Sequence, residues 1–219
     1  MEDERGGAVP DRATFARTLG TLKREGSNVL LVGAAASTHE TVCQQLLGAG
    51  ERDSRYRLFV TNADDRVACD RTADAETDRV RTIDYSRSGL ETDVDSDGEN
   101  GRPSLGTLGI EIVETIDELA DAADEFDPSE LRVCVDSLVP LLREYDTETV
   151  FRLLHLTTSR VDQARGMGHY HLPLASDHDA VNLLEPMFDA VVTVRSRDGT
   201  DEQQWHLREE DATTDWLEL

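Results

Sequence analysis

Asn28, Val29, Leu30, Leu31 and Val32 form an apolar run that enters Gly33, and Val42, Leu46 and Leu47 then recur at helical spacing up to Gly48. A short apolar run bounded by glycine reads as a strand buried on both faces, whereas a spacing of three to four residues reads as a helix with one apolar stripe. Strand, glycine turn and helix in that order begin a doubly wound parallel sheet. The start of the chain thus constrains the fold more than any other segment.

The same alternation continues. Further strands are predicted at 56–61, weakly at 80–85, at 131–135 running into Asp136, at 169–174, at 190–194 and at 203–207. Helices are predicted at 14–24, at 108–123, over a stretch bent or broken between Leu142 and Thr149 whose main stripe covers 150–161, and at 181–187. Helical spacing assigns Leu138, Leu141, Leu142, Val150, Phe151, Leu153, Leu154 and Leu156 to core packing rather than to a partner surface. Residues 62–79 are too polar to define a core element. Asp198 and Gly199 favour a tight turn that makes the last two strands an antiparallel hairpin. The expected fold class is α/β, a mostly parallel sheet flanked by helices with an antiparallel C-terminal edge hairpin. It occupies a single domain over residues 14–208, after a flexible leader at 1–13 and before a tail at 209–219. An acidic, glycine-containing insertion at 86–106 buries too little apolar area to offset backbone ordering. Trp216 in the tail is expected to cover the last strands of its own chain.

Twenty-two basic residues stand against 46 acidic ones, for a formal charge of -24, and Lys23 is the sole lysine. Such a surface repels polyanions, so DNA, RNA and anionic membranes are disfavoured as partners. Salt adaptation explains it: near molar ionic strength the Debye length is about 3 Å and self-repulsion is screened. No run approaches the roughly 20 apolar residues of a membrane span, and the acidic first ten residues lack a secretory core, so a cytoplasmic protein is expected.

Cys43, Cys69 and Cys134 are too few and too widely spaced to suggest a disulfide framework or a cysteine-based zinc site. Cys134 sits in an apolar run and is expected as a buried thiol. His169 and His171 share one face of a strand and form a candidate polar site at the strand end, followed by Asp177, His178 and Asp179. No recognised ligand spacing accompanies them, so no metal is assigned. Ser37, Ser137 and Ser159 have no sequence signature of a catalytic triad.

The segment from Asn28 to Gly33 followed by a helix resembles the first strand and phosphate loop of RecA/KaiC-like domains. The run ending at Asp136 looks like their strand with a terminal Walker-B-like aspartate, and the final hairpin is similar to the strands that end their core. The pattern closely resembles a haloarchaeal RecA/KaiC-like family of unknown function over about residues 14 to 208. A loop of the form G-x-x-x-x-G-K-[S/T] would place its first glycine at Gly33, its second at Thr38, its lysine at His39 and its magnesium-binding hydroxyl at Glu40. The last three are missing, and Ala34, Ala35 and Ala36 remove the backbone freedom that wraps an anion. Asp64 and Asp65 follow the second strand near the place of the acidic pair in similar ATPases, and read as surface loop residues.

No catalytic residue and no cofactor are therefore assigned. The expected function is that of a non-catalytic regulatory or scaffolding domain that binds an unidentified protein partner or self-associates. An atypical nucleotide-binding ATPase or nucleotide sensor is the alternative.

Overall fold

A computed structural model of the chain describes residues 12–48, 55–62, 78–85 and 104–219. In order, its elements are α1 (Arg12–Glu25), β1 (Ser27–Val32), α2 (Ala36–Leu47), β2 (Tyr56–Thr61), β3 (Val80–Asp84), α3 (Leu105–Ala123), β4 (Leu131–Asp136), α4 (Val139–Glu144), α5 (Thr147–Gln163), β5 (Met167–Leu172), α6 (Asp179–Leu184) with a 3-10 turn Glu185–Met187, β6 (Ala190–Arg197), β7 (Thr200–Leu207), β8 (Ala212–Thr213) and β9 (Leu217–Glu218).

The described strands form one sheet of order β3-β2-β4-β5-β1-β6-β7-β8, with β9 also paired to β7. From β3 through β6 every neighbouring pair is parallel. The hairpin β6–β7 then reverses direction through Asp198 and Gly199, both at positive φ (53° and 81°), which lets a two-residue turn match the strand twist. A mostly parallel sheet with an antiparallel C-terminal hairpin is therefore present as expected.

Alternate residues of each strand serve opposite layers. Leu30, Val32, Leu58, Val133, Tyr170 and Leu172 face the core shared with α3, α5 and α6, while Val29, Leu31, Val192 and Val194 face Val42 of α2 and Phe15, Leu19 and Leu22 of α1. Both faces of β1 are consequently buried, and its six residues are all inaccessible. That is why its sequence shows a continuous apolar run rather than alternation.

Several boundaries differ from expectation for local reasons. Ser104 caps α3 by accepting from Gly106 N–H, so the helix starts three residues earlier than its apolar stripe suggests and takes in the end of the 86–106 segment. Residues 86–103 lie outside the described residues. The bend after Leu142 is a true break: α4 ends at Glu144, and Asp146 then caps α5 by accepting from Thr149 N–H at 2.9 Å. Leu156 of α5, expected in the core, is instead 40% exposed. Strand β5 runs from Met167 to Leu172, two residues earlier at each end than expected: Gly168 pairs with Asn28 and Val133, and the side chains of Asn28 and Tyr170 occupy the space where a Cβ would project. At the C-terminus β9 joins the sheet, and the Arg195 guanidinium lies 3.6 Å from the centre of the Trp216 ring, so the tryptophan does cover its own chain. Among the described residues no helix is long and apolar enough to cross a membrane.

Candidate functional site

Adjacent strands β1 and β5 send their following helices to opposite faces: α2 packs with the Val29 and Leu31 layer, and α6 with the Leu30 and Val32 layer. In open α/β sheets this switch point leaves a crevice beyond the strand ends where ligands bind. Gly33, Thr38, His39, Asp136 and His171 all gather around it.

Only Gly33, Ala34 and Ala35 separate β1 from α2. The N–H groups of Thr38 and His39 both donate to Ala35 O at 3.2 Å. The helix is thus already wound where a phosphate loop would hold its donors open around an anion. Gly33 is pinned by its N–H to Leu174 O at 2.8 Å and stands at φ 126°. Thr38 is fully buried with no hydrogen-bond partner for Oγ1, and Glu40 is half-buried.

His39, at the lysine position, is also fully buried. Its Nε2 lies 2.7 Å from Gly33 O and its Nδ1 lies 3.1 Å from His171 Nδ1. A carbonyl only accepts, so Nε2 of His39 carries a proton. Burial, and then the neighbouring His171, lower the pKa of His39 from its ordinary 6.5 to about 4 against the opposing pull of Gly33 O, so the ring is neutral near pH 7. Its Nδ1 is then a lone pair, which makes His171 Nδ1–H the donor of the pair. The lysine position therefore holds a neutral ring turned back onto its own loop.

Asp136 ends β4 and is completely buried. The following turn is fixed by Ser137 at φ 72°, by Tyr85 Oη donating to Ser137 O at 2.7 Å, and by Val139 N–H donating to Ser137 Oγ. Near pH 7 the strand-end position after Gly33 thus offers a neutral imidazole, with a buried Asp136 ending β4 and a half-buried Glu40 following His39 on α2.

One step deeper, His169 lies on the same face of β5 as His171, with ring centres 5.4 Å apart. The parallel register sets Cys134 of β4 directly beside His169. Cys43 follows His39 by one helical turn, so α2 lowers it onto the same place. Cys43 Sγ lies 3.8 Å from Cys134 Sγ and 3.3 Å from His169 Nε2. One ligand atom from each of Cys43, Cys134, His169 and His171 lies within 4.8 Å of all the others, and all four residues are buried. Cys43 and Cys134 are not disulfide-bonded.

Wide sequence spacing is therefore a poor argument against a cysteine-containing site in this chain: a helix and a strand 91 residues apart bring the two thiols together. The only sequence signal for Cys43 is its offset of four from His39. Cys134 is buried, as expected. Asp177, His178 and Asp179 are exposed instead, and His178 Nδ1 caps α6 by accepting from Ala180 N–H. Ser37 is exposed on α2, and Ser159 lies on α5 across the sheet. Asp64, Asp65 and Cys69 lie outside the described residues.

A family model, that of the family of unknown function DUF7504, matches residues 26–194. The chain belongs to this family. The DUF7504 segment runs from the start of β1 into β6 and contains His39, Cys43, Cys134, His169 and His171. No curated protein matches the chain significantly.

Proposed function

We propose that this DUF7504 chain is a non-catalytic regulatory or scaffolding domain that acts by binding another protein or a second copy of itself. One observation carries the reading: the His39 ring fills the strand-end crevice and spends its proton on Gly33 O, at the point where nucleotide chemistry needs a fixed cation over phosphate. The finer likeness to RecA/KaiC-like domains belongs to the same reading. Its support is that the β1–Gly33–α2 turn and the Asp136 strand end lie at the same, carboxyl end of the sheet on the two strands that flank β5. A framework of this kind with its crevice plugged retains its surface for recognition, because function resides in sites rather than in the fold.

Calorimetry with ATP and GTP, with and without magnesium, in molar salt is the test of the non-catalytic half. No binding heat at millimolar ligand is expected, and saturable heat would favour the nucleotide sensor instead. For the interaction half, light scattering and high-salt affinity capture with a purified candidate partner are expected to show self-association or a saturable complex. A strictly monomeric chain with no specific partner would overturn it.

A further inference from the structure

Two cysteines and two histidines converging on one buried point form the donor set of a tetrahedral, borderline-soft metal. The distances bear on this directly. In a tetrahedron built on a Zn–S bond of about 2.3 Å and a Zn–N bond of about 2.0–2.1 Å, the sulfur–sulfur edge is about 3.8 Å and the edges involving nitrogen are about 3.3–3.6 Å. Cys43 and Cys134 stand 3.8 Å apart, and Cys43 and His169 stand 3.3 Å apart. All four ligand atoms lie within 4.8 Å of one another, so closing on an ion requires the longest edges, which involve nitrogen, to contract by up to about 1.2–1.5 Å.

A second observation is independent of the cluster's composition. His171 Nε2 is buried and has no hydrogen-bond partner. An unmet buried acceptor costs about 1–3 kcal/mol, which is hard to reconcile with ordinary core packing. The partners at its other nitrogen explain the state of this one. His39 Nε2 donates to Gly33 O and His39 Nδ1 lies 3.1 Å from His171 Nδ1, so His171 makes its hydrogen bond at Nδ1 while its Nε2 makes none. A metal-ligating histidine needs this arrangement, one nitrogen held as a donor to an outer group and the other free to coordinate.

We infer that Cys43, Cys134, His169 and His171 hold one divalent ion of the zinc class in a closed site, with His39 as a positioning residue for His171. Two thiolates neutralise the doubly charged ion, so the loaded site carries no net charge into the core. With all four ligands buried, no open coordination position faces solvent, which is the arrangement of a structural rather than a catalytic ion. The ion would tie α2 to β4 and β5 and so fix the turn after Gly33. This inference stands apart from the non-catalytic reading, since a nucleotide-binding chain could carry the same ion.

The test uses the full chain, unfolded with chelator and reductant and refolded with Co2+ in metal-free salt buffer. Tetrahedral d–d bands and thiolate-to-cobalt charge transfer are expected, both lost on addition of one equivalent of Zn2+. Cys43→Ser and Cys134→Ser should remove the charge-transfer band, while Cys69→Ser should leave it unchanged. His39→Ala should weaken binding about 10–100-fold with the tetrahedral bands retained, and His39→Gln, which keeps an acceptor for His171 Nδ1–H, should recover part of the loss. Because a serine variant that fails to fold would also lose the band, cadmium NMR of the wild-type chain supplies a reading without mutation, with a shift in the range of two sulfur and two nitrogen ligands expected. An octahedral cobalt spectrum, no binding, a charge-transfer band that survives the double serine variant, a cadmium shift of all-oxygen type, or a Cys43–Cys134 disulfide in the freshly isolated chain would each overturn the inference.

Discussion

A Cβ on Gly33 would run into the carbonyl oxygen of Val194 on the neighbouring strand, and its φ of 126° is one that side-chain-bearing residues rarely adopt. Gly20, within α1, meets nothing closer than the end of the flexible Arg24 side chain at 3.4 Å. The same substitution should therefore have opposite signs at the two sites. Gly33→Ala is expected to lose at least about 1–3 kcal/mol from backbone strain alone, and Gly20→Ala to gain about 0.4–1 kcal/mol. Urea unfolding in high-salt buffer measures both, and equal effects would refute the assignment of Gly33 as a close-approach glycine. Gly33 is legible in the sequence because a strand that ends in glycine before a helix announces a tight turn. His39 is less so: sequence alone shows that a lysine is missing, but only the packing of α2 on β5 shows that the imidazole takes its place.

Helix α5 and strand β1 meet at a polar seam in an otherwise apolar layer. Asn28 donates from Nδ2 to Thr158 O and to Asp162 Oδ1 at 2.7 Å, accepts from Tyr170 Oη at 3.0 Å, and donates from its backbone N–H to Asp189 Oδ2 at 2.7 Å. No periodicity in the sequence indicated this seam, since Asn28 reads as the polar start of a strand and its partners lie more than 120 residues away. The strands themselves were legible from their apolar runs for the reason that hid the seam: with both faces buried, the pattern names the element and not the neighbour. Asp162 is exposed as a residue, yet its Oδ1 is turned toward Asn28, and burial together with the charge of Asp189 raises its pKa from 3.8 to about 6 despite that hydrogen bond. The folded chain therefore binds this proton more tightly than the unfolded chain. The associated stability is fully present below about pH 3.8 and is lost as pH rises through about 6. Asp162→Asn keeps an acceptor for Asn28 and removes the titration. Relative to wild type, its urea midpoint should rise steadily from pH 4 to pH 7, and a constant difference across that range would show that Asp162 does not titrate with the fold.

A formal charge of -24 acts on every part of the chain at once. Like charges destabilise the compact state more than the expanded one, so raising ionic strength should favour folding as the Debye length shrinks from about 10 Å at 0.1 M to about 3 Å at 1 M. For a chain of this size each kcal/mol so recovered raises Tm by about 2–4 °C. Salt also strengthens apolar burial when its anion is excluded from the surface, as sulfate is, so a rise in Tm alone does not identify the cause. The two effects separate by choice of salt. Screening depends on ionic strength, and potassium chloride and potassium sulfate at equal ionic strength should then give nearly the same rise up to about 1 M, flattening once the Debye length falls below the spacing of surface carboxylates. If Tm stays level in chloride and climbs only in sulfate, the acidic surface is not what makes the fold respond to salt. If the chloride curve rises and saturates, replacing a cluster such as Glu209, Glu210 and Asp211 with glutamine and asparagine should lower its initial slope and leave the high-salt plateau unchanged, because screened charges no longer contribute to the difference.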